Sequence, residues 1–510
     1  MSEIQPRKEV EWLVMLYLSG DNNLSPDMVW AINEISESRV PEGFAVTIQY
    51  DGVTPGSPTL RYAIDRETPV RRGMSRGPLP FPEAKIDELR EDDAGSPRVL
   101  EDFIRWSVNG YHARYRMLIL SGHGSGSVGD FLNDDQARRQ LQPGAMSIPG
   151  VSLAITYACE NNPGLTNVDK PVHILGLDSC LMSTLEVASE LKGLASLLVA
   201  SEGFVPNSGW PYGYLLEQLK ARVGRGESVD PEAISTYLVR DCAEYYSTYL
   251  PAGVSFDISS CDIDRIDDVK TAVELLASEL LPSIEERGLQ DAAVLAHWRA
   301  QSFKWEQYVD LWDFCGQLKR QVDRLGVACD NVMTRVIDAT GGRDSTAAVI
   351  AHETVGIEFQ HAHGLSIFFP WSIPKFEDPD WLQLYGELKF AKESGWVEFL
   401  KRYAALTMRE PAQLRTKEEL VEWPDTKEIP ARRSRAGLLG VAVQADGIGA
   451  PSTPFPPDRR TGGVHTRGMT GAVGSMKNPP QTVKIPKKWL DPPDKGGRRD
   501  QVVHAAGPRS

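Results

Sequence analysis

Two residues of this 510-residue chain have the types and settings that nucleophilic chemistry requires. One is Cys180, in "HILGLDSCLMST" (173–184), where an apolar run from Ile174 to Leu177 ends in Asp178 and, two residues on, in the thiol. A cysteine used for packing sits inside an apolar pattern and is inert. A reactive one stands at a strand's carboxyl end with a group nearby to hold its thiolate. The other residue is His123, in "LILSGHGSGSVGD" (118–130), which leaves an apolar run through Ser121-Gly122. A thiolate to attack and a histidine to protonate the leaving group are the minimum for acyl transfer. Gly124 fits beside them. A side chain there would crowd a substrate carbonyl, whereas its bare N–H can join that of Cys180 around an oxyanion.

These residues need strands that end side by side, and the first 260 residues supply them by alternating short apolar runs with helical patterns, the signature of a parallel α/β sheet. "WLVMLYLS" (12–19), "FAVTIQYDG" (44–52), "LRYAI" (60–64), "RMLILSG" (116–122), "VHILGL" (172–177) and "SLLVASE" (196–202) read as strands. Most are apolar throughout, as strands covered on both faces are. Ser25-Pro26 and Ser96-Pro97 open helices. In such a sheet, ligands bind at the carboxyl edge, where neighbouring strands deliver their end residues into one crevice. From 256 to 408 the pattern is mostly helical, interrupted by one strand, "GLSIFFPW" (364–371). The expected organisation is therefore an α/β domain over 11–255, a helix-rich subdomain over 256–408, and a linker and disordered tail over 409–510, rich in Pro, Gly and basic residues.

Composition bounds the partners. From Ala431 onward the chain carries 14 Lys and Arg against five Asp and Glu, while residues 1–430 carry 41 against 65. An acidic body repels nucleic acid and favours basic ligands. No apolar run approaches the ~20 residues of a membrane-spanning helix, so neither nucleic acid nor membrane is an expected partner. The first twelve residues hold no apolar leader, and Cys159, Cys180, Cys242, Cys261, Cys315 and Cys329 form no CxxC pair. Both features predict a reduced, cytoplasmic protein. The oligomeric state is not legible.

"WLVMLYLSGDNNL", "LILSGHGSGS", "LDSCLMSTLEVASEL", "LVASEGFVPNSGWPY", "YVDLWDF" and "HGLSIFFP", in that order over roughly 11–405, resemble the clostripain family of cysteine peptidases, relatives of caspases, gingipains and legumain. The resemblance implies a caspase-like three-layer α/β/α fold with a mostly parallel sheet. It implies His123 and Cys180 as a catalytic dyad and Asp178 as the acidic residue of a pocket for an Arg or Lys side chain at P1. Two positions depart from the family pattern. Ser208 stands in "NSGW" where "GDGW" would bring a second pocket carboxylate, and Ser121 stands where a Trp usually precedes "GHG". The substrates expected are proteins or peptides with a basic P1 residue. A guanidinium takes a carboxylate bidentately, so Arg is expected to beat Lys.

Residues 136–146 read as an exposed loop, and within it Arg138 and Arg139 are candidate self-cleavage residues, as family members are often matured by self-cleavage in that connection. Arg432, Arg433, Arg459 and Arg460 in the tail are rival sites. No cofactor is expected, with one reservation: Asp134-Asp135 is a candidate calcium-ligand pair or a capped turn, and one calcium-dependent member of the resembled family points toward the ion. His361 and His363 in "HETVGIEFQHAH" have metal-ligand spacing but read as solvated surface. "GSGSVG" (124–129) fits a dinucleotide fingerprint, yet no helical pattern follows it. The alternatives to a peptidase are a catalytically silent caspase-like scaffold recruiting partners through the basic tail, and a nucleotide-binding α/β protein.

Overall fold

The computed structural model describes residues 8–407, apart from 55–56, 71–84, 89–92, 136–143, 161, 163, 166–167, 304–306, 339–345 and 371–380. Arg138, Arg139 and the tail 409–510 lie outside the described residues. In chain order the strands are β1 (Lys8–Gly20), β2 (Phe44–Gly52), β3 (Leu60–Asp65), β4 (Lys85–Glu88), β5 (Tyr111–Ser121), β6 (Val172–Asp178), β7 (Ala195–Ala200), β8 (Phe256–Asp262), β9 (Ser302–Phe303), β10 (Tyr308–Asp310), β11 (Val349–Val355) and β12 (Ser366–Phe368). Nine of them form one sheet in the order β11-β8-β7-β6-β5-β1-β2-β3-β4, and β12-β10-β9 form a small second sheet.

The centre of the large sheet, β2-β1-β5-β6-β7, is parallel, and the flanking strands run antiparallel. Helices Ser25–Glu37, Tyr212–Gly224 and Pro231–Ser247 pack together as one layer. Pro97–Gly110, Ile148–Glu160, Leu185–Glu190 and Ile266–Leu280 form the other. Because both faces are covered, β1 and β6 are buried almost along their whole apolar length. The three-layer α/β/α expectation is met. Ser25 and Pro97 begin helices as their Ser-Pro pairs predict, with proline in the first turn, where a missing N–H costs nothing.

The stretch after 255 is less purely helical than its sequence pattern suggests. β8 and β11 extend the large sheet, so that sheet continues past residue 255. β8, "FDISSCD", hides its character behind two buried serines: Ser259 hydrogen-bonds the Gly364 carbonyl at 2.7 Å, and Ser260 has no exposed surface. The strand expected over 364–371 is shorter, Ser366–Phe368. No helix among the described residues is long and apolar enough to cross a membrane.

Three buried carboxyl groups hold the later segments to the sheet. Asp257 accepts from the backbone N–H groups of Glu202 (2.6 Å) and Gly203 (2.9 Å). Glu202 accepts from Gly364 N–H at 2.7 Å. Asp310 caps the helix Leu311–Lys319 through Asp313 N–H and also accepts from His363 N–H, both at 2.6 Å. Burial, then the negative charges of Asp310 and Asp257, push the Glu202 carboxyl well above its ordinary range. Burial, with Asp310 adding its charge against the two backbone bonds, raises Asp257 to about 7. Such groups keep protons that the unfolded chain has released, so their stabilisation is complete below about pH 4 and is lost as pH climbs through about 7. Thermal unfolding followed from pH 5 to 8 should therefore show a falling Tm, by up to about 1.4 kcal/mol of stability per pH unit for each such group. Glu202→Gln, neutral at every pH, should flatten that fall; an unchanged slope would show that Glu202 does not carry the proton.

Candidate active site

β5 and β6 pair in parallel register, with Leu120 opposite Leu177 and Ser121 opposite Asp178. One step on, Gly122 N–H reaches the Asp178 carbonyl at 3.5 Å and the Ser179 hydroxyl donates to the Gly122 carbonyl at 2.9 Å. The register thus carries past the strand ends, and His123-Gly124 and Cys180 emerge side by side. Gly124 is required by that closeness. A Cβ there would lie 2.5 Å from the Cys180 carbonyl oxygen and 3.1 Å from its nitrogen. The collision is with the Cys180 backbone, a nearer obstacle than the substrate carbonyl that the sequence suggested.

Backbone strain sits beside each residue. Leu181, directly after Cys180, has φ 67°, and Leu132, whose N–H donates to the His123 carbonyl at 3.0 Å, has φ 51°. Leucine in this left-handed region costs roughly 1–2 kcal/mol, so the surroundings must hold it. For Leu181 the hold is a bond from its N–H to the Gly203 carbonyl at 2.9 Å, followed by Met182 and Ser183 N–H groups on the Ser201 carbonyl.

The Cys180 thiol has no exposed surface and docks against the backbone of Val205. Val205 N–H donates to Sγ at 3.1 Å, and the thiol faces the Val205 carbonyl at 3.7 Å. Among the other thiols, burial pushes Cys261 up to about 12, raises Cys159, and raises Cys242 and Cys315 well above the ordinary thiol range. These four remain protonated and inert near neutral pH. His123 is 3% exposed, and its Nε2–H donates to Asn23 Oδ1 at 2.7 Å. Sequence reasoning did not single out Asn23, although "GDNNL" follows β1. Its proximity becomes visible only when β1 is found to neighbour β5.

Asp178 is fully buried and already engaged. The hydroxyls of Ser121 and Tyr212 donate to one of its oxygens, each at 2.8 Å, and Trp210 N–H donates to the other at 3.1 Å. Both oxygens of Asp178 thus already accept hydrogen bonds from within the protein, and a P1 guanidinium would have to share them. Ser121 is one of those donors. Ser208 hydrogen-bonds the Tyr246 hydroxyl at 3.4 Å, and Tyr246 in turn donates to the Gly209 carbonyl. Trp210 packs onto β6 at Gly176, where a Cβ would meet its ring at 2.8 Å, fixing the 208–212 loop beneath the strand end.

The other motifs have structural explanations. "GSGSVG" wraps Tyr308: Gly126 has φ 84°, and a Cβ on it would lie 2.2 Å from the tyrosine ring. No space remains there for a dinucleotide. His363 Nδ1 faces Asp310 at 3.2 Å, stacked on Trp312; burial lowers its pKa, but the hydrogen bond and charge of Asp310 outweigh this and raise it. Asp134 gathers with Asp21 and Asp51, all buried, with carboxylate oxygens within 4.8 Å of one another. Asp135 is not in that group; its N–H donates to the Asp21 carbonyl at 2.8 Å. Three hard oxygens at that spacing suit a hard cation such as calcium.

The model of the clostripain family, peptidase family C11, matches residues 16–403. Clostripain of Hathewaya histolytica is 24% identical over 364 residues, 62% of this chain and 68% of that protein. A secreted C11 cysteine protease from Bacteroides thetaiotaomicron, solved with an irreversible peptide inhibitor, superposes with a TM-score of 0.51 at 14% identity, covering 76% of this chain and 99% of that one. An inactive zymogen C11 protease from Parabacteroides distasonis gives 0.50 at 16% identity over the same shares. The cytoplasmic placement is corrected by the secreted relative. The free cysteines do not argue otherwise, because five of the six are buried and need no reducing compartment to stay apart from solvent.

The Gly124 contact makes a direct prediction. Gly124→Ala must push the Cys180 backbone aside, and a displacement on the order of 1 Å should cost about 100-fold in kcat/KM. Circular dichroism should remain native in the same preparation; full activity in the variant would show that the two strand ends are not in contact.

Proposed function

The chain belongs to the clostripain family of cysteine peptidases, and on that premise we propose that it cuts peptide bonds with Cys180 as nucleophile and His123 as the acid–base partner. The single observation behind this reading is the in-register delivery of His123 and Cys180 from adjacent strand ends. The thiol proton passes to the imidazole, and the thiolate attacks the scissile carbonyl carbon. The oxygen takes up the electron pair beside the N–H groups of Gly124 and Cys180. Collapse breaks the C–N bond as the imidazolium returns its proton to the leaving amine. Water, activated by the imidazole, then hydrolyses the thioester.

Asp178 and Ser208, on the pocket side of Cys180, set the P1 preference. A buried anion held by neutral donors attracts a cation through space, so Arg and Lys are both preferred over neutral residues and differ little from each other. A thiol with no exposed surface cannot reach a peptide, so an opening step precedes catalysis. Self-cleavage after Arg138 or Arg139, on the connection between β5 and β6, follows the first opening and keeps the site open. A secreted setting, like that of the solved relative, is the matching environment. A calcium ion held by Asp21, Asp51 and Asp134 would neutralise buried charge behind the turn after β1 and supply no chemical step.

Cys180→Ala and His123→Ala should each lower hydrolysis of a peptide library by several orders of magnitude while leaving Tm within a few degrees. The wild type should favour Arg and Lys at P1 within a few-fold of each other. A protein that hydrolyses equally well without Cys180, or that selects an acidic P1, contradicts the assignment. Mass spectrometry of purified wild type should show a new end at Arg138 or Arg139 that is absent from Cys180→Ala. An intact, fully active wild type would remove self-cleavage from the account.

A further inference from the structure

His123 has two ring nitrogens, and the fold commits one of them. Nε2 lies 2.7 Å from Asn23 Oδ1, an acceptor, so Nε2 carries the proton and Nδ1 keeps the lone pair. From this we infer that Asn23 is the positioning residue of the histidine: it fixes the tautomer in which Nδ1 receives the Cys180 proton, and it stays bonded to Nε2–H when the ring becomes cationic. The inference rests on the reading of His123 and Cys180 as the reacting pair.

Asn23 is exposed at the rim, so a lone hydrogen bond there would compete with water. Its backbone, however, is held in place. Asn22, its buried neighbour, donates through Nδ2 to the carbonyls of Ser19 (3.1 Å) and Asn133 (2.8 Å) and accepts from Leu24 N–H at 2.9 Å. Asn22 N–H returns to the Gly20 carbonyl at 2.8 Å. Ser19 also donates to the Asn133 carbonyl, at 3.2 Å. The segment that makes these bonds begins beside the histidine itself: Leu132 N–H is on the His123 carbonyl, and Asp135 N–H is on the Asp21 carbonyl. The turn after β1 and the loop after His123 are therefore closed onto each other through residues 19–22, immediately before Asn23. A carboxamide presented by so fixed a turn spends little entropy in meeting the ring.

The chemistry favours an amide over a carboxylate here. When the thiol proton moves to Nδ1, the Nε2–H···O bond becomes charge-assisted and strengthens. A neutral acceptor stabilises that imidazolium without holding it so firmly that the proton is withheld from the leaving amine. Asn23 touches neither substrate nor thiol in this role and acts only through His123.

The test compares wild type, Asn23→Ala and Asn23→Asp as full-length protein, after confirming equal Tm. Each is assayed with a peptide substrate and with an irreversible thiol-directed peptide inhibitor, the labelled residue being read by mass spectrometry. Asn23→Ala should lose on the order of 10–100-fold in kcat with KM within about twofold, less than the loss of the general acid–base group itself. Asn23→Asp, which keeps an acceptor but holds the imidazolium more firmly, should recover part of that kcat. An active wild type matched or exceeded by Asn23→Ala overturns the inference alone, and so does an Asn23→Asp no better than Asn23→Ala. A wild type that neither hydrolyses nor becomes labelled at Cys180 overturns the underlying reading, and the inference with it.

Discussion

The register between β5 and β6 is the constraint from which the rest of the site follows. With Ser121 opposite Asp178, two parallel strands end level, and the next residues on each leave the sheet within one strand spacing, about 4.8 Å. A slip by one residue would turn every side chain of β6 to the other face, so burial on both sides fixes the register strongly. His123, Gly124, Ser179 and Cys180 are in place because of it. The same alignment sets the Ser121 hydroxyl against Asp178, so a residue that departs from the family pattern becomes a partner of the expected pocket acid. One pairing therefore positions the two residues proposed to react and gives Asp178 one of its donors.

Around this pairing the protein builds an enclosed centre. The thiol rests on the Val205 backbone, the imidazole on Asn23, and strained leucines flank both. The loop that receives the thiol, residues 201–205, is itself held by Asp257 and followed into the core by Glu202. Stability and site are thus coupled through buried carboxyl groups that are most secure when protonated. An enclosed thiol is in keeping with the proposed opening step.

Much of this was legible in the sequence where hydrophobicity alone decides. β1, β5, β6 and β7 were readable because strands covered on both faces are apolar runs, and the Ser-Pro pairs marked the starts of two helices. β8 and β11 were not. One buries serines satisfied by distant carbonyls, and the other is a half-exposed edge strand. His123 and Cys180 stood out because strand ends can be read locally. Asn23, Glu202 and the capped state of Asp178 depend on which strands are neighbours, and that order, β6-β5-β1, is created by crossovers that leave no local mark. Asp178 stood out in the sequence as a carboxyl group two residues before the thiol. The donors that close it, Ser121, Trp210 and Tyr212, come from two other segments of the chain.

The central claim is that one thiol among six is the nucleophile because the strand register sets it beside His123. The most direct measurement is to treat the active protein with a substoichiometric irreversible peptide inhibitor and map the modified residue by mass spectrometry. The account predicts a single thioether at Cys180, lost in His123→Ala, with Cys159, Cys242, Cys261, Cys315 and Cys329 unmodified. A label on any of those five that accompanies loss of activity, or complete inactivation with Cys180 untouched, would contradict it.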